Sequence, residues 1–352
     1  MTEKYLVGMS GGVDSSVAAL LLRNAGCDCI GGTMKLYADG AAYADDLRDA
    51  EDAASRLGIQ HVFLDASNDF ESNVIRSFIS VYECGGTPNP CIVCNRTMKF
   101  TRMYQFAREL GCDGIATGHY ARIEQRKDGR WLLKKGRDEN KDQSYFLYIM
   151  TQEMLSYTRF PVGELTKEQV RRLAEDHGLI NARKRDSQDI CFVPDGDYEG
   201  FIRQYTGKEY PAGDFVDKDG RILGRHRGII GYTVGQRRGL GVSGTSPLYV
   251  CRKCEKDNSI LLTGDEELYS KELYADDLNL ISEEYLSGPL RCKARIRYRH
   301  REQPATVTQL DTKTIRVIFD EPQRAVTGGQ AVVLYEGDTV IGGATIRIGE
   351  NC

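Results

Sequence analysis

Three cysteines in polar surroundings are the residues best suited to carry chemistry in this sequence. Cys91 and Cys94 are separated by two residues in the string TPNPCIVCN, and Cys191 lies in the string RDSQDICFV. A deprotonated cysteine is a nucleophile and can carry a transferable sulfur atom, whereas a single cysteine is most often a buried, inert thiol. The polar neighbours favour reactive thiols, and so do the prolines, which are expected to stiffen the first string into an extended loop.

The string SGGVDSS at residues 10–16 is a second candidate site. It follows the apolar run KYLV and opens the helical pattern VAALLLRNAG. The plain structural interpretation is a tight turn, but small residues here also let backbone N–H groups and the helix N-terminus bind phosphate. Asp14 either caps the helix or helps to hold magnesium, and Ser10, Ser15 and Ser16 donate to phosphate oxygens. Neither G-x-x-x-x-G-K-[ST] nor G-x-G-x-x-G occurs at this turn, so another type of nucleotide site is expected.

Strand and helix patterns alternate through the first half of the chain. The strand-like runs KYLVGM, CIGGTMKL, HVFLDA and DGIATGH alternate with helical segments that end in glycine. This order predicts an α/β domain with a parallel sheet built from right-handed βαβ units. Ligands of such sheets bind beyond the carboxyl ends of the strands, where residues 10–16, Met34 and the string GHY should therefore lie. A further helix, LTKEQVRRLAEDHGL, has a capping box of Thr166 and Gln169.

The pattern changes near residue 195. From there, short β-like runs are separated by glycine turns, as in GDFVDKDGRILG, GIIGYTVGQ and PLYVCRKCEKDNSILLTG, and a last all-β stretch begins at LYADDLNLI. We therefore predict three domains, at residues 1–198, 199–270 and 271–352: an N-terminal parallel-sheet domain, a small β-rich central domain and a C-terminal β domain.

Composition indicates a globular protein that works in the cytoplasm. The chain has 352 residues, a formal net charge of −4 and 11 cysteines. No run approaches the roughly 18 apolar residues of a membrane span, and the N-terminus does not resemble a signal peptide. Cytosolic cysteines are more often buried thiols, metal ligands or catalytic groups than disulfides. The small net charge gives no hint of a polyanionic partner, so nucleic acid would need a local basic patch.

A family resemblance connects these features. SGGVDS resembles the phosphate loop of the PP-loop ATP pyrophosphatases, which split ATP into AMP and pyrophosphate while adenylating a substrate oxygen. With TPNPCIVCN, ATGHYAR, KDQSYFL, DSQDICFV and GYTVGQRRGLG following in order, the chain resembles the tRNA-specific 2-thiouridylases from residue 5 to about residue 347. The resemblance implies a PP-loop domain, a small central domain and a C-terminal β-barrel. It also implies replacement of the 2-oxygen of a tRNA wobble uridine by sulfur, with ATP and Mg²⁺, tRNA and a sulfur-donor protein as partners, and no membrane.

The same resemblance implies roles for individual residues. Cys94 is the implied nucleophile and Cys191 the implied persulfide carrier, which form a transient disulfide that a reductant reopens. The implied ATP contacts are Gly8, Met9, Ser10, Gly11, Gly12, Val13, Asp14, Ser15, Met34 and Gly118. The implied contacts with tRNA or the target base are Asn89, Pro90, Cys91, His119, Lys141, Asp142, Gln143, Arg297, Tyr298 and Gln330. His119 can equally be a neutral hydrogen-bonding residue at a strand end.

Cys91 departs from the best-known family pattern, which has aspartate at this position. The departure puts the suggested acid–base role of that aspartate in doubt. Together with Cys94 and Cys191, Cys91 could instead ligate a [4Fe–4S] cluster with one open iron, with Cys84 as a competing ligand. A second C-x-x-C pair, Cys251 and Cys254, has no further ligands nearby at zinc spacing and is interpreted as exposed strand-turn cysteines.

A basic run predicts where RNA binds. In RCKARIRYRHR, at residues 291–301, every second residue is a cation, and on a strand all six would share one face, with Cys292, Ala294, Ile296 and Tyr298 pointing inward. A solvated strand face is the plain interpretation, but phosphates would relieve the repulsion among six like charges. The central domain adds Arg225, Arg227, Arg237 and Arg238.

Two other functions are compatible with parts of the sequence. One is a PP-loop synthetase that adenylates a small molecule, which would leave the basic run and the paired cysteines without a role. The other is a non-catalytic tRNA-binding protein that relays sulfur and keeps a vestigial loop, which the intact SGGVDS disfavours.

Overall fold

The computed structural model describes residues 2–37, 41–179, 190–242 and 246–349. In the first part of the chain, the strands are β1 Lys4–Gly8, β2 Asp28–Lys35, β3 Gln60–Asp65, β4 Gly114–Ala116, β5 Ala121–Gln125, β6 Trp131–Lys135 and β7 Thr158–Arg159. The helices are α1 Val13–Asn24, α2 Ala41–Leu57, α3 Ser67–Phe70, α4 Arg76–Glu83, α5 Pro90–Cys94, α6 Met103–Glu109, α7 Ser144–Leu147, α8 Gln152–Tyr157 and α9 Lys167–Asp176, with π-helical segments at Glu71–Ile75 and Asn95–Arg102.

Five strands form the predicted parallel sheet, in the order β3-β2-β1-β4-β7. Both faces of the central strand β1 are covered: Leu6 belongs to one apolar cluster, and Tyr5 and Val7 to another. A parallel strand buried on both faces is expected to be continuously apolar, as the three buried residues 5–7 are. The predicted α/β class of this region is therefore confirmed.

The helix signals in this region correspond to real helix boundaries. Gly26 and Gly178, which follow α1 and α9, have φ of +85° and +66°, a conformation that glycine adopts without strain. The predicted capping box at the start of α9 is present, with reciprocal hydrogen bonds between Thr166 and Gln169. Within the described part of the chain, none of the helices has the length and apolar character needed to cross a membrane.

The central region begins with a helix that the sequence did not suggest. Helix α10, Tyr198–Thr206, precedes a four-stranded sheet in the order β10-β11-β8-β9, with strands β8 Gly213–Val216, β9 Ile222–His226, β10 Tyr249–Cys254 and β11 Ser259–Thr263. The β-like interpretation of GIIGYTVGQ is wrong at its start, because Ile229–Gly231 form a 3₁₀ turn in which Ile229 and Ile230 are buried. The interpretation of Cys251 and Cys254 as exposed strand-turn cysteines is wrong, because both are half-buried and lie on β10 itself.

The C-terminal region is a closed barrel of six strands, namely β12 Tyr269–Leu280, β13 Leu290–Arg295, β14 Gln303–Gln309, β15 Ile315–Arg324, β16 Ala331–Glu336 and β17 Thr339–Ile346. It closes because β12 pairs with both β15 and β17. The hairpin of β5 and β6 extends this sheet, since β6 pairs with β17. A hairpin from the N-terminal part of the chain therefore joins the barrel to the parallel-sheet region, which the sequence pattern did not indicate.

Candidate functional site

The glycine-rich loop after β1 is held in shape by close backbone packing. Gly11 has φ of +70°, and a Cβ at this position would clash with the backbone of Asp46. Gly118, after β4, lies against the first turn of α1, where a Cβ would be 2.6 Å from the carbonyl carbon of Asp14 and 2.7 Å from the amide nitrogen of Ser15. Two of the implied ATP contacts, Gly11 and Gly118, thus stand where only glycine lets the backbone adopt this arrangement.

The hydroxyls of the loop are turned toward its own backbone. Ser15 Oγ donates to the carbonyl of Gly12 at 2.9 Å and accepts from the amide of Ser10 at 3.3 Å. Ser16 Oγ also donates to Gly12, at 3.2 Å. Reorientation of these hydroxyls would be needed for them to donate to a phosphate group.

Asp14 does not cap α1, contrary to one of the two expectations for it. The N-cap is Gly12, which makes no side-chain capping bond. Instead, the Lys167 ammonium lies 2.8 Å from both carboxylate oxygens of Asp14, and the hydroxyl of Tyr120 donates to Asp14 Oδ1 at 2.7 Å. Lys167 is only 6% exposed. A buried cation therefore stands at the N-terminus of α1, although this loop lacks the lysine of the G-x-x-x-x-G-K-[ST] motif.

The other implied nucleotide contacts surround this turn. Gly8 ends β1, Met9 is buried, and Val13 is the first residue of α1. The carbonyl of Met9 accepts a hydrogen bond of 2.7 Å from Thr33 Oγ1 on β2. Met34 lies inside β2 rather than after it, and it is half-buried.

The first cysteine pair lies on a helix, so the prediction of an extended loop is wrong from Pro90 onward. Pro90 occupies the first turn of α5, where its missing N–H costs nothing. Cys91 and Cys94 follow at helical spacing, and a π-helical segment begins at Asn95. Cys91 is exposed, whereas Cys94 is 8% exposed.

The exposed Cys191 lies beside a firmly packed residue. The ring of Phe192, which is buried, contacts Phe78 with a centroid distance of 5.2 Å and Phe70 at 5.7 Å. These contacts hold Phe192, the residue next to Cys191, against the helices α3 and α4, which precede the segment with the first two cysteines.

The three thiols share one electrostatic environment. The pKa of Cys94 is raised to about 12, mainly by burial, with smaller contributions from negative charge on Cys191 or Cys91. Partial desolvation also raises the pKa of Cys191, and Cys91 contributes to that rise. The Lys99 ammonium acts in the opposite direction and lowers the thiol pKa of all three cysteines. Lys99 is therefore within electrostatic range of all three thiols, and burial favours the neutral thiol of Cys94.

We expect iodoacetamide to modify Cys94 much more slowly than Cys191 or Cys91. Only the thiolate reacts, and a buried thiol with a pKa of about 12 is almost fully protonated at pH 8. Cys94 should therefore react at least about 10²-fold more slowly. Peptide mapping by mass spectrometry measures each cysteine separately, with the exposed Cys84 as the fast reference and the buried Cys112 as the slow one. Equal rates at Cys94 and Cys191 would contradict the buried state of Cys94.

His119 directly follows Gly118, which packs against the nucleotide loop. It is buried, its Nδ1 is 2.7 Å from Thr117 Oγ1, and its ring packs against Phe100 and Phe160. Burial lowers the pKa of His119 well below its usual range, and Lys99 lowers it further. The structure therefore favours a neutral histidine that forms hydrogen bonds at the strand end.

The arrangement of the candidate ligands does not support the cluster hypothesis. Among the residues that the structure describes, which include Cys84, Cys91, Cys94 and Cys191, no three cysteine, histidine, aspartate or glutamate side chains come together as a metal-binding group. The donor set needed to hold a [4Fe–4S] cluster is thus not assembled in this structure.

A chain of contacts connects the nucleotide loop with the cysteines. Tyr120, which donates to Asp14, also pairs with Gln143, whose Oε1 accepts from the Tyr120 amide at 2.9 Å. The carbonyl of Gln143 accepts from the amide of Phe146 at 3.0 Å, and the carbonyl of Phe146 accepts from the side chain of Asn95 at 3.2 Å. Since Asn95 follows Cys94, the loop, the implied tRNA segment 141–143 and the cysteine helix form one continuous region.

The other implied tRNA contacts border this region. Tyr298 packs on Phe146 with ring centroids 4.4 Å apart, and Lys141 is half-buried. Asp142 is buried: its carboxylate accepts from the amides of Gly136 and Ser144 and lies 3.8 Å from Arg295. The side chain of Asp142 is therefore turned away from solvent.

Barrel residues reach the segment before Cys91. Gln330 donates from Nε2 to the carbonyl of Thr87 at 2.9 Å and to that of Pro88 at 3.1 Å. Arg297 is half-buried and donates to Thr327 Oγ1 at 2.6 Å. Asn89 caps the start of α5 without a side-chain capping bond.

The basic run does not present six cations on one strand face. Strand β13 ends at Arg295, whose guanidinium turns back to the carbonyls of Arg297 and Tyr298 as the chain enters a turn. Arg291 forms an ion pair with Asp320, with one N–O distance of 2.6 Å. The predicted inward positions of Cys292, Ala294 and Ile296 are confirmed, because all three are buried. The other exposed cations of the run are Lys293, Arg299 and Arg301, while in the central region Arg225, Arg227, Arg237 and Arg238 are also exposed.

Sequence reasoning assigned no role to four residues of this region, although it placed one of them, Tyr120 in the string GHY, at the ligand end of the sheet. Lys167, Tyr120 and Lys99 supply the charges and hydrogen bonds described above. Asn95 is 2% exposed, and its Oδ1 has no hydrogen-bond partner among the described residues. Lys99 and Asn95 were close to the cysteine motif and could have been noticed there, but nothing in the sequence pairs Lys167 with Asp14.

Three family models match successive parts of the chain. The model described as the tRNA methyl transferase HUP domain matches residues 3–195, and the tRNA methyl transferase PRC-barrel domain matches residues 199–263. The model described as the aminomethyltransferase beta-barrel domain matches residues 270–346. They correspond to the parallel sheet, the central sheet and the closed barrel.

Curated relatives are similar over almost the full length. The chain is 49% identical over 358 residues to the tRNA-specific 2-thiouridylase MnmA of Acetivibrio thermocellus, with 98% of this chain and 99% of the relative covered. It is 46% identical over 356 residues to the MnmA of Clostridioides difficile, with 99% of both chains covered. The MnmA of Lachnoclostridium phytofermentans is 45% identical over 354 residues, with 98% of this chain and 99% of that relative covered.

Proposed function

Because this chain belongs to the tRNA-specific 2-thiouridylase family, we propose that it replaces the 2-oxygen of a tRNA wobble uridine with sulfur, in the cytoplasm and at the expense of ATP. The observation that carries the proposal is the continuous path of contacts from Asp14 through Tyr120 and Gln143 to the residue after Cys94. Along this path, a nucleotide at the glycine loop and a sulfur nucleophile at the cysteine helix can act on the same uridine.

The first step is adenylation of the uridine. Its O2 attacks the α-phosphorus of ATP, so that an O–P bond forms and pyrophosphate leaves. This converts a poor leaving group into AMP, which departs in the next step. The backbone N–H groups of the loop and the N-terminus of α1 supply donors for the phosphates.

The second step transfers sulfur. A donor protein delivers a sulfane sulfur to Cys191, which then holds it as a persulfide. The thiolate of Cys94 attacks the Cys191 sulfur, and the terminal sulfur leaves as sulfide and attacks C2 of the uridine, from which AMP departs. Cys94 and Cys191 are left as a disulfide, which a dithiol reductant returns to two thiols.

Two features of the site govern this second step. Cys94 is a neutral, buried thiol in this state, so the reaction requires a rearrangement that exposes it or brings a charge partner closer. Lys99 is placed to favour the thiolate, because a nearby ammonium stabilises negative charge on sulfur. The exposed Cys191 is accessible to a donor protein, whereas the buried Cys94 is protected from side reactions.

Magnesium would be bound together with ATP, where it neutralises phosphate charge. Asp14 is the carboxylate of the loop that could approach it, and its oxygens already contact Lys167 and Tyr120. The residues of the loop therefore suit a metal held mainly by the phosphates, and no protein ligand set is assigned. An iron–sulfur route would be the competing form of the sulfur step, and it would require Cys91, Cys94 and Cys191 to move into a ligand set that the described residues do not form in this structure.

The tRNA would lie across the aromatic and basic residues between the parallel sheet and the barrel. Tyr298 and Phe146 offer rings on which an extruded base can stack. The cations Lys293, Arg299 and Arg301 can contact phosphates, since each is exposed. Asn89, Pro90 and Cys91 would face the target base at the start of α5.

The test combines the protein with ATP, magnesium, unmodified tRNA, glutathione persulfide and a dithiol reductant. We expect 2-thiouridine in the nucleoside digest and one AMP for each sulfur incorporated, with no AMP released when tRNA is omitted. ATP–pyrophosphate exchange without tRNA would instead favour a small-molecule synthetase. Binding of tRNA without any release of AMP would favour a sulfur relay.

A further inference from the structure

The central region attaches to the segment before the cysteines through a buried lysine. Lys253, on β10, is 7% exposed, and its ammonium donates to the carbonyl of Gly86 at 3.1 Å and to that of Tyr232 at 2.8 Å. It also lies 5.6 Å from the centre of the Tyr82 ring. Burial lowers the pKa of Lys253 to about 7. A buried ammonium is costly unless hydrogen bonds satisfy it, so these carbonyls bind it firmly.

The barrel attaches to the next two residues of the same segment. Gln330 Nε2 donates to the carbonyls of Thr87 and Pro88 at 2.9 and 3.1 Å, and the amide of Thr87 donates to Gly328 at 2.9 Å. Lys253 and Gln330 thus bind three successive carbonyls, those of Gly86, Thr87 and Pro88. We call these contacts the 86–88 junction.

Close packing leaves little room for the junction to shift. A Cβ at Gly86 would be 2.8 Å from side-chain atoms of Ile348 and Val81, and a Cβ at Gly329 would be 2.8 Å from Val81 and 3.0 Å from the Thr87 carbonyl. Gly329 also has φ of +87°. The backbones of the barrel and of the segment therefore touch directly, and the side chains of Lys253 and Gln330 complete the contact.

The junction stands immediately before the reactive helix. Pro88 is followed by Asn89, the N-cap of α5, and then by Pro90, whose ring fixes φ. A displacement of the 86–88 backbone must consequently move the first turn of α5, which carries Cys91 and Cys94.

We propose that Lys253 and Gln330 are positioning residues for sulfur transfer, which hold the 86–88 backbone from the central domain and the barrel and thereby place Cys94 toward Cys191 and the target base. The inference rests on the proposed function. It gives Gln330 a task within the protein, whereas the family resemblance implies a direct contact with tRNA, and it assigns a task to Lys253, which the reaction does not otherwise use.

The first measurement separates positioning from tRNA binding. In Lys253→Met and Gln330→Glu we expect kcat for thiolation to fall by roughly 10- to 100-fold, since small misplacements of reacting groups have effects of that size, while KM for tRNA and ATP stays close to the wild-type value. Lys218→Met, which changes an exposed lysine of the central domain, is the matched control and should behave as wild type. A rise in KM for tRNA with unchanged kcat would overturn the proposal for Gln330, and wild-type kcat in Lys253→Met would overturn it for Lys253.

The second measurement does not depend on activity. Hydrogen–deuterium exchange of peptides that cover residues 84–94 should speed up in both variants. The 86–88 backbone is then held less firmly, so the hydrogen bond from the Thr87 amide to Gly328 should open more often. Peptides of β1 and α1 should stay protected. If Lys253→Met does not fold, Lys253→Gln, which keeps an N–H donor, is measured instead. Unchanged exchange in the variants would overturn the junction as a positioning element. Failure of the wild type to make 2-thiouridine would by itself reject only the proposed function, so the two failures can be told apart.

Discussion

Cys94→Ser and Cys191→Ser will each abolish tRNA thiolation, whereas Cys91→Ser will retain most of it. A serine oxygen neither carries sulfane sulfur nor forms a disulfide, so loss of either thiol should lower the rate on the order of 10³-fold or more. The disulfide route makes no use of the exposed Cys91. Nucleoside analysis of tRNA after a timed reaction with glutathione persulfide measures the three variants side by side, with Cys84→Ser as the exposed control.

The two inactive variants should stop at different stages. In Cys94→Ser, no thiol of the protein releases the persulfide on Cys191, so intact-protein mass spectrometry after loading without the dithiol reductant should detect one added sulfur atom. In Cys191→Ser this sulfur should be missing. Because adenylation of the uridine needs no thiol, both variants should still release pyrophosphate when tRNA is added, in at most one turnover.

The same set of variants decides between the disulfide and cluster routes. A cluster would require all three cysteines, so Cys91→Ser would then be as inactive as the others, and protein purified without oxygen would contain iron. Activity of Cys91→Ser in iron-free protein would exclude the cluster. The structure favours this second result, because the described cysteines do not form a metal-binding group.

Much of the fold could be predicted because its signals are local. Glycines that take positive φ after α1 and α9, the capping box of Thr166 and Gln169, and the apolar strand at residues 4–8 depend on neighbours within a few positions. The order of strands and helices along the chain was then enough to predict the parallel sheet. The hairpin of β5 and β6 was not predictable in the same way, since its partner β17 lies about two hundred residues later in the chain and its own pattern does not identify the sheet that it joins.

The residues of the candidate site that belong to sequence motifs could be predicted. The residues that only tertiary contacts bring to the site were missed. The glycine loop and the cysteines could be read from the sequence, but the string TPNPC allows two conformations: proline is compatible with an extended loop and with the first turn of a helix. The structure adopts the helix from Pro90. Likewise, the alternation of cations after residue 291 predicts a strand, and it continues in the sequence after Arg295 has turned back onto the chain and ended β13.

The pairing of Asp14 with Lys167 illustrates most clearly what sequence reasoning lacked. The two residues are 153 positions apart, and their ammonium–carboxylate distances are 2.8 Å. Asp14 belongs to a motif, and Lys167 belongs to an ordinary amphipathic helix. Only the packing of α9 beside α1 makes the lysine part of the nucleotide loop.

Lys167→Met will weaken ATP binding strongly, and the double variant Asp14→Asn/Lys167→Met will recover most of it. Without its partner, the Asp14 carboxylate remains at the N-terminus of α1 and repels the phosphates. Two like charges about 6 Å apart at an effective dielectric constant near 20 repel by roughly 2.8 kcal/mol, which corresponds to about a 100-fold rise in Kd. The double variant removes that charge, so Kd should return toward the wild-type value. Equilibrium binding of a non-hydrolysable ATP analogue measures all the variants, with Arg172→Met on the exposed face of the same helix as the control.

The stability of the variants provides an independent check on the same pair. Lys167 is buried and Asp14 is half-buried. Removing one partner of such an ion pair is expected to cost more than removing both, because the remaining charge loses its compensation. Thermal unfolding without ATP should therefore show Lys167→Met as less stable than the double variant. Asp14→Asn leaves the ammonium beside the phosphate site, so added ATP analogue should raise its melting temperature more than it raises that of Lys167→Met. If ATP affinity were equal in Lys167→Met and wild type, Asp14 would not face the phosphates, and the placement of the nucleotide at this loop would have to be abandoned.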